Sequence, residues 1–425
     1  MFSSFFSTAP PTDPNAPNFH PVSSDKDATQ LFGELEPKDT EWTCPGGFAV
    51  ETQVFYNYLE DGSSLMCQVI HSAVGVWYPT IQFTFKLTNP GKRETVWKSV
   101  NVTNFVTPPP GLDKRSCKAD EFSITHKSNP GSDAPETYVI RANLADDLQI
   151  SLEIKRPASV PGFKVGAGPK GGFSYFGPDP NNAEGYVVHR FWPHNRAIGM
   201  VILKGQAIPV DGPGMFVHAI QGMRPNLVAS RWNFANFQSS QHGGVSAVSM
   251  EFTTIDQYGK KGNGSGFVTV NVGSLVLGGK LAAVTAETKW PGEPLPEKAG
   301  VMSRAVHLNP EKDPDTGYDA PTSLVFRWAA PSIVSDAPGH VDATLILDVG
   351  SPTAYKGLIE KVDVLAEIPY VIKTMVNYVA GTKPYIYQWV MPTKLVVTGP
   401  DELVPGLSEG LEIEGIGYSE ASFIS

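Results

Sequence analysis

The chain has 425 residues, which at roughly 100–200 residues per domain allows two to four domains with sizeable cores of their own. Its 33 basic and 43 acidic residues give a formal charge of -10, which argues against general nucleic-acid binding and against strong overall attraction to anionic lipid. No apolar run reaches the ~18 residues of a membrane-spanning helix, and the N-terminus lacks the basic and apolar regions of a secretory signal.

The three cysteines, Cys44, Cys67 and Cys117, have no metal-ligand spacing, and an odd number makes no disulfide framework. A reducing compartment is the simpler reading. The sequons at Asn101 and Asn263 would matter only in a secreted protein. With 41 glycines and 37 prolines the chain falls short of low-complexity composition and fits many turns between short strands.

In chain order, residues 1–30 read as a proline-rich tail, with prolines at 10, 11, 14, 17 and 21. Phe2, Phe5 and Phe6 precede them at i, i+3 and i+4, one face of a helical turn and a candidate membrane contact. From about residue 48 the period becomes two. Ile81–Thr88, Tyr138–Leu144 and Leu148–Lys155 alternate apolar and polar residues, and turns at Glu60-Asp61-Gly62, Asn89-Pro90-Gly91, Asn129-Pro130-Gly131 and Ala145-Asp146-Asp147 separate such strands. A loop is expected over 157–185, with strands resuming at Tyr186–Trp192 and Ile198–Leu203.

Pro209–Gly214 is the best domain boundary, giving domains 31–212 and 213–425. Strand patterns then recur at Met215–Ile220, Val245–Thr254, Phe267–Leu277, Lys280–Glu287, Thr322–Ala329, His340–Val349 and Tyr385–Thr398. One helix is expected between Pro369 and Gly381, where Val371, Ile372, Met375, Val376 and Val379 form a stripe that would pack across a barrel. The whole reads as all-β, with periodicity alone leaving sandwich and barrel both open.

Several motif matches fail on context. Gly406-Leu407-Ser408-Glu409-Gly410 resembles a nucleophile elbow, but the last histidine is His340, upstream of it. Gly166-Ala167-Gly168-Pro169-Lys170-Gly171 has no helix to hold a pyrophosphate. Asp313-Pro314-Asp315-Thr316-Gly317 lacks the glycine position and closing glutamate of a calcium loop. No catalytic residue, metal site or cofactor is expected.

Two clusters stand out. In His189-Arg190-Phe191-Trp192-Pro193-His194 a strand puts His189 and Phe191 on one face and Arg190 and Trp192 on the other. In Ser230–Phe237, Trp232 and Asn233 head an aromatic and polar run. His189, Arg190, Trp192, His218, Trp232 and Asn233 are the candidate ligand contacts. The competing reading is a buried polar network with an aromatic plug closing a barrel end, inter-domain packing for the second cluster, and a satisfied core histidine at 218.

The run Trp42–Tyr56 with Gln68–Ser72, then His189–Pro193, Gly214–Met223 with Ser230–Gln238, Met250–Thr254 and Ala380–Gln388, resembles the fungal survival-factor family, from about residue 31 to the C-terminus. The resemblance implies two tandem lipocalin-like (calycin-type) β-barrels with one or two short accessory helices. It implies binding of ceramide or a similar apolar lipid, non-vesicular transfer from endoplasmic reticulum to early Golgi, and survival of oxidative stress. It implies membrane contact through an acetylated N-terminal amphipathic helix. Here that segment is shortened to nine residues before Pro10-Pro11 and has no basic residue. The implied location is cytoplasmic and peripheral on those membranes, with the nucleus as an alternative. The runner-up is a two-barrel enzyme of the fungal cyclase or isomerase type that acts on an apolar substrate by positioning it. A scaffold with side-chain-filled barrels is a third class.

Overall fold

A computed structural model describes residues 16–24, 26–73, 79–92, 94–260, 264–295, 300–364 and 383–424. The alternating segments pair as antiparallel neighbours in two large sheets. In the first, the order is Glu94–Asn101, Thr80–Asn89, Ser64–Ser72, Val50–Tyr58, Gln206–Gln221, Gly185–Leu203, Leu148–Arg156, Glu136–Ala145, Phe122–Ser128 and Cys117–Lys118. The second runs Lys280–Lys289, Thr269–Leu277, Val245–Thr253, Arg231–Ser239, Leu411–Phe423, Tyr385–Thr398, His340–Asp348, Ser323–Pro331 and Met302–Leu308.

Both sheets curl until their edges meet. In the first, Val106 and Lys118 exchange backbone hydrogen bonds of 2.8 and 3.0 Å, and the Asp120 amide donates to the Thr103 carbonyl at 3.0 Å. In the second, side chains make the closure. Thr285 Oγ1 donates to Ser303 Oγ at 3.0 Å, and the Glu287 carboxylate accepts the Arg304 guanidinium at 2.6 and 2.7 Å. Closure gives each edge strand partners and removes a template for aggregation.

The strand pattern decides what lies inside. Leu148–Arg156 alternates buried and exposed residues along most of its length, because one face packs in the barrel and the other is wet. Val50–Tyr58 is buried on both faces. Phe55 points into the first barrel, while Val54, Tyr56 and Tyr58 belong to the layer between the barrels. Three apolar clusters result. Phe55, Phe83, Phe85, Tyr138, Trp192 and Phe216 fill the first barrel. Phe237, Phe326, Trp328, Tyr387 and Trp389 fill the second. Phe19, Phe163, Phe176, Phe191, Phe234 and Phe252 form the seam where the barrels pack together.

Three expectations change. Pro209–Gly214 is no linker: it lies inside the Gln206–Gln221 strand, and the two sheets separate between Gln221 and Arg231. The glycines there serve packing and not a turn. A Cβ on Gly212 would sit 1.7 Å from the Tyr58 carbonyl oxygen, and one on Gly214 2.0 Å from that of Tyr56. The expected loop 157–185 contains two short strands, Phe163–Val165 and Phe173–Phe176. The tail is built into the fold from Phe19, which is fully buried and pairs with Phe176. Burying that ring contributes roughly 1.5–3 kcal/mol. The short helix Pro225–Val228 bridges the two sheets in the chain. The helix expected over 369–381, and Phe2, Phe5 and Phe6, lie outside the described residues.

Candidate functional site

The six candidate contacts do not converge. Pairing places them in three compartments. Arg190, Trp192 and His218 point into the first barrel, His189 and Trp232 into the seam, and Asn233 into the second barrel.

Inside the first barrel the groups serve one another. Glu51, on Val50–Tyr58, accepts the Thr43 amide at 3.0 Å, the Cys44 amide at 2.6 Å and His218 Nε2 at 2.8 Å. His218 Nδ1 donates to the Asp39 carbonyl at 2.9 Å. Burial pushes the Glu51 carboxyl up, but the His218 bond and charge and the two amides outweigh it, so it stays below its ordinary range. The Asp39 carboxylate takes Lys164 Nζ at 2.7 Å and lies 3.4 Å from Arg190 Nε. The Arg190 guanidinium also lies 5.3 Å from the Phe173 ring centroid. Below this ionic layer Trp192 packs on Tyr138 and Phe216, with centroids at 4.9 and 5.2 Å. Asn233 is held in the same manner in the second barrel: Nδ2 donates to Glu251 at 2.7 Å and Oδ1 lies 2.7 Å from His307 Nε2. Glu51, Asp39, Lys164 and Glu251 are the partners that sequence reading did not single out. For Glu51, Lys164 and Glu251 the only signal is a charged residue at an inward position of a strand, and Asp39, at the end of the short 3-10 helix Pro37–Asp39, carries no such signal.

The seam differs. Val22, Val165, Val187 and Phe191 from the first half face Met250, Phe252, Val270 and Val272 from the second, around a cavity of about 10 Å³, the volume of roughly one water. Into this apolar layer projects His189. Its ring lies 6.0 Å from Phe191 and 5.9 Å from Trp232, edge-on to the indole. Burial holds its pKa down at about 4, so the ring is neutral at pH 7. It makes no side-chain hydrogen bond among the described residues, so a donor and an acceptor remain for a guest.

Polar bonds clamp the seam at its ends. Gln238 Nε2 and Ser246 Oγ donate to the Pro193 carbonyl at 3.1 and 2.6 Å, and Asn236 Nδ2 to Tyr58 Oη at 2.9 Å. At the other end Asn18 Nδ2 donates to the Gln257 carbonyl at 2.8 Å, and its Oδ1 accepts the Gly259 and Lys260 amides at 2.9 Å each. Residues 18–24 thereby lie as a strap beside the cavity, with Val22 in its wall. An apolar layer with few polar groups, closed by a short strap, is the chemistry of an apolar-ligand site.

Comparison with known proteins agrees with this architecture. A protein of Schizosaccharomyces pombe named "Ceramide-binding protein svf1" is 32% identical over 410 residues, covering 95% of this chain and 93% of that relative. An Aspergillus fumigatus protein of the same name is 33% identical over 409 residues, covering 93% and 91%. Among solved structures, CghA with Sch210972 superposes with a TM-score of 0.57 at 11% identity, over 96% of this chain and 98% of that one. A putative AttH from Nitrosomonas europaea gives 0.50 at 14% identity, over 95% and 99%. These likenesses establish the fold: two lipocalin-like barrels in tandem. The family model of the Svf1 family matches residues 2–425, so the chain belongs to the Svf1 family.

Proposed function

We propose that the protein is a carrier that binds ceramide or a closely similar apolar lipid between its barrels. The observation that carries this is the seam. It is apolar on both faces, and His189 is a neutral imidazole there with free hydrogen-bonding capacity. Relatives matched over nearly their whole length are named for ceramide binding. Acyl chains would replace the contacts between Phe191, Phe252, Val270 and Val272, and His189 would meet a head-group hydroxyl or amide. A cavity of about 10 Å³ is too small for the lipid, so loading requires the strap and the facing strands to part. Mass spectrometry of lipids extracted from the purified full chain tests the reading: ceramide enriched over bulk membrane lipid is expected, and a protein that is empty and also extracts none from donor vesicles overturns it.

A carrier and not an enzyme is the better fit to the buried acids. Glu51 and Glu251 each accept several protein donors, so neither stands ready to move a substrate proton. Oxidant chemistry has no support in the thiols either. Burial raises all three, Cys44 and Cys67 to about 12, so none is a ready thiolate. Protection from oxidative stress would then be indirect, through sphingolipid supply by transfer from endoplasmic reticulum to early Golgi. Phe2, Phe5 and Phe6 would provide the reversible membrane contact such a shuttle needs, partly burying three rings. Flotation of the intact protein with liposomes against a variant with all three changed to Ser checks this; equal flotation would end the idea.

A further inference from the structure

The open end of the second barrel carries a cleft of about 400 Å³, separate from the seam. Register builds it. Arg231, Thr253, Thr269 and Lys289 are direct partners across four neighbouring strands, forming one row at the rim. Two residues deeper on the same face lies the row Asn233, Glu251, Asn271 and Glu287. The deeper row is saturated. Glu251 accepts Asn233 at 2.7 Å, Asn271 at 3.0 Å and the Ala305 amide at 3.2 Å, while Glu287 takes Arg304.

Arg231 is only partly balanced from below: the Glu251 carboxylate feels its charge but spends its hydrogen bonds on Asn233, Asn271 and the Ala305 amide. Neither Arg231 nor Lys289 forms an ion pair among the described residues, although the chain as a whole carries a charge of -10. The field of Arg231 reaches into the barrel. After burial, it is the second cause holding His307 at about 3. Three strand spacings put the two rim positions about 14 Å apart, so long side chains from both sides can reach one group between them. Aromatic rings complete the wall. Tyr318 stacks on Phe423 with centroids at 4.9 Å. Phe267 is 49% exposed with its backbone at φ 68°, a region a bulky residue rarely adopts and one found at ligand sites.

We propose that this cleft binds a phosphate-type oxyanion, with Arg231 and Lys289 taking the oxygens and Phe267, Tyr318 and Phe423 packing on the apolar body that carries it. Guanidinium and ammonium groups recognise phosphate through charge-assisted hydrogen bonds. A volume of about 400 Å³ suits a head group and its first apolar atoms better than a whole lipid. The oxyanion could belong to a phospholipid head group or to free phosphate, and the site is independent of any ceramide in the seam.

Equilibrium binding of the full chain to monomeric dioctanoyl phosphatidic acid, dioctanoyl glycerol and inorganic phosphate separates the sources without a bilayer. Phosphatidic acid is expected to bind at least about ten-fold more tightly than the uncharged glyceride. That preference is expected to fall about ten-fold in Arg231→Gln and in Lys289→Gln, while ceramide retention is unchanged. Inorganic phosphate competing as well as phosphatidic acid supports the oxyanion site and names the free ion as its ligand. Equal binding of the acid and the glyceride overturns the proposal, as does a preference kept in the double variant. Should the variants unfold, the salt dependence of the native chain decides: affinity that does not fall with rising salt also overturns it.

Discussion

At the residue scale, burial sorts the histidines by role. His218 is bonded at both ring nitrogens, whereas His189 is buried without a side-chain partner. A histidine whose folded pKa lies near 4 resists protonation that the unfolded chain accepts near 6.5. The unfolded state therefore binds more protons between those values, and stability contributed by the neutral ring is full above 6.5 and lost as pH falls towards 4. His307, held at about 3, adds to the same trend. Chemical denaturation at pH 7 and pH 5 is expected to show lower stability at pH 5, with part of that difference gone in His189→Phe. The same substitution should leave stability at pH 7 unchanged or higher, since a polar ring facing an apolar layer is replaced by an apolar one. It should also lower ceramide retention about ten-fold if the imidazole meets the head group. A variant that retains lipid as well as the native chain would place the head group elsewhere.

At the element scale, the Gln206–Gln221 strand lies in the middle of the first sheet, pairing with Gly185–Leu203 on one side and Val50–Tyr58 on the other. Its glycines allow that close approach. Gly212→Ala would drive a methyl to 1.7 Å from the Tyr58 carbonyl, so a loss of about 2 kcal/mol or more is expected by thermal or urea unfolding. An unchanged midpoint would show that the strand can shift to make room. The strap is a second element with a separable role. The Asn18 side chain makes three hydrogen bonds to residues 257–260, beside the one its backbone amide donates to the Lys260 carbonyl at 3.2 Å. Asn18→Ala is expected to speed exchange of bound lipid several-fold in a fluorescent-ceramide release assay while costing only about 1 kcal/mol of stability per lost bond at most. Slower or equal release would mean that loading uses another path.

At the scale of the whole molecule, the barrels are bound by an apolar layer with polar bonds at its ends, and each would expose that layer alone. Phe176, Phe191, Phe234 and Phe252 are all almost fully buried between them. Chains 1–221 and 222–425, expressed together, are expected to co-purify as a pair. Expressed apart, each is expected to be insoluble or aggregated, as exposed apolar patches of that extent cause. Two soluble, non-interacting halves would contradict a seam that holds the protein together.

How much of this was legible differs by kind. Alternation in Leu148–Lys155 and Leu324–Trp328 declared half-buried strands, because a strand with one wet face writes its burial into every second residue. It also put His189 and Arg190 on opposite faces, which the ladder with Ala219 and His218 reproduces. The family resemblance supplied the lipocalin-like barrels, and the matches across nearly the whole chain establish the family. The boundary at Pro209–Gly214 was misread because glycine and proline look alike in a linker and in a strand crowded against a neighbouring backbone. Local composition holds no record of the Tyr58 carbonyl that requires Gly212. The candidate ligand contacts were identified as residue types but not as a site. Which barrel, seam or rim receives a side chain depends on strand pairings between residues far apart in the chain, such as Arg231 with Phe423. Sequence alone therefore determined an all-β chain with its inward and outward faces. Only the tertiary structure decided that His189 stands in an apolar seam while Arg231 and Lys289 share one rim row of the second barrel, because strand pairing and barrel packing set side chains distant in sequence beside one another.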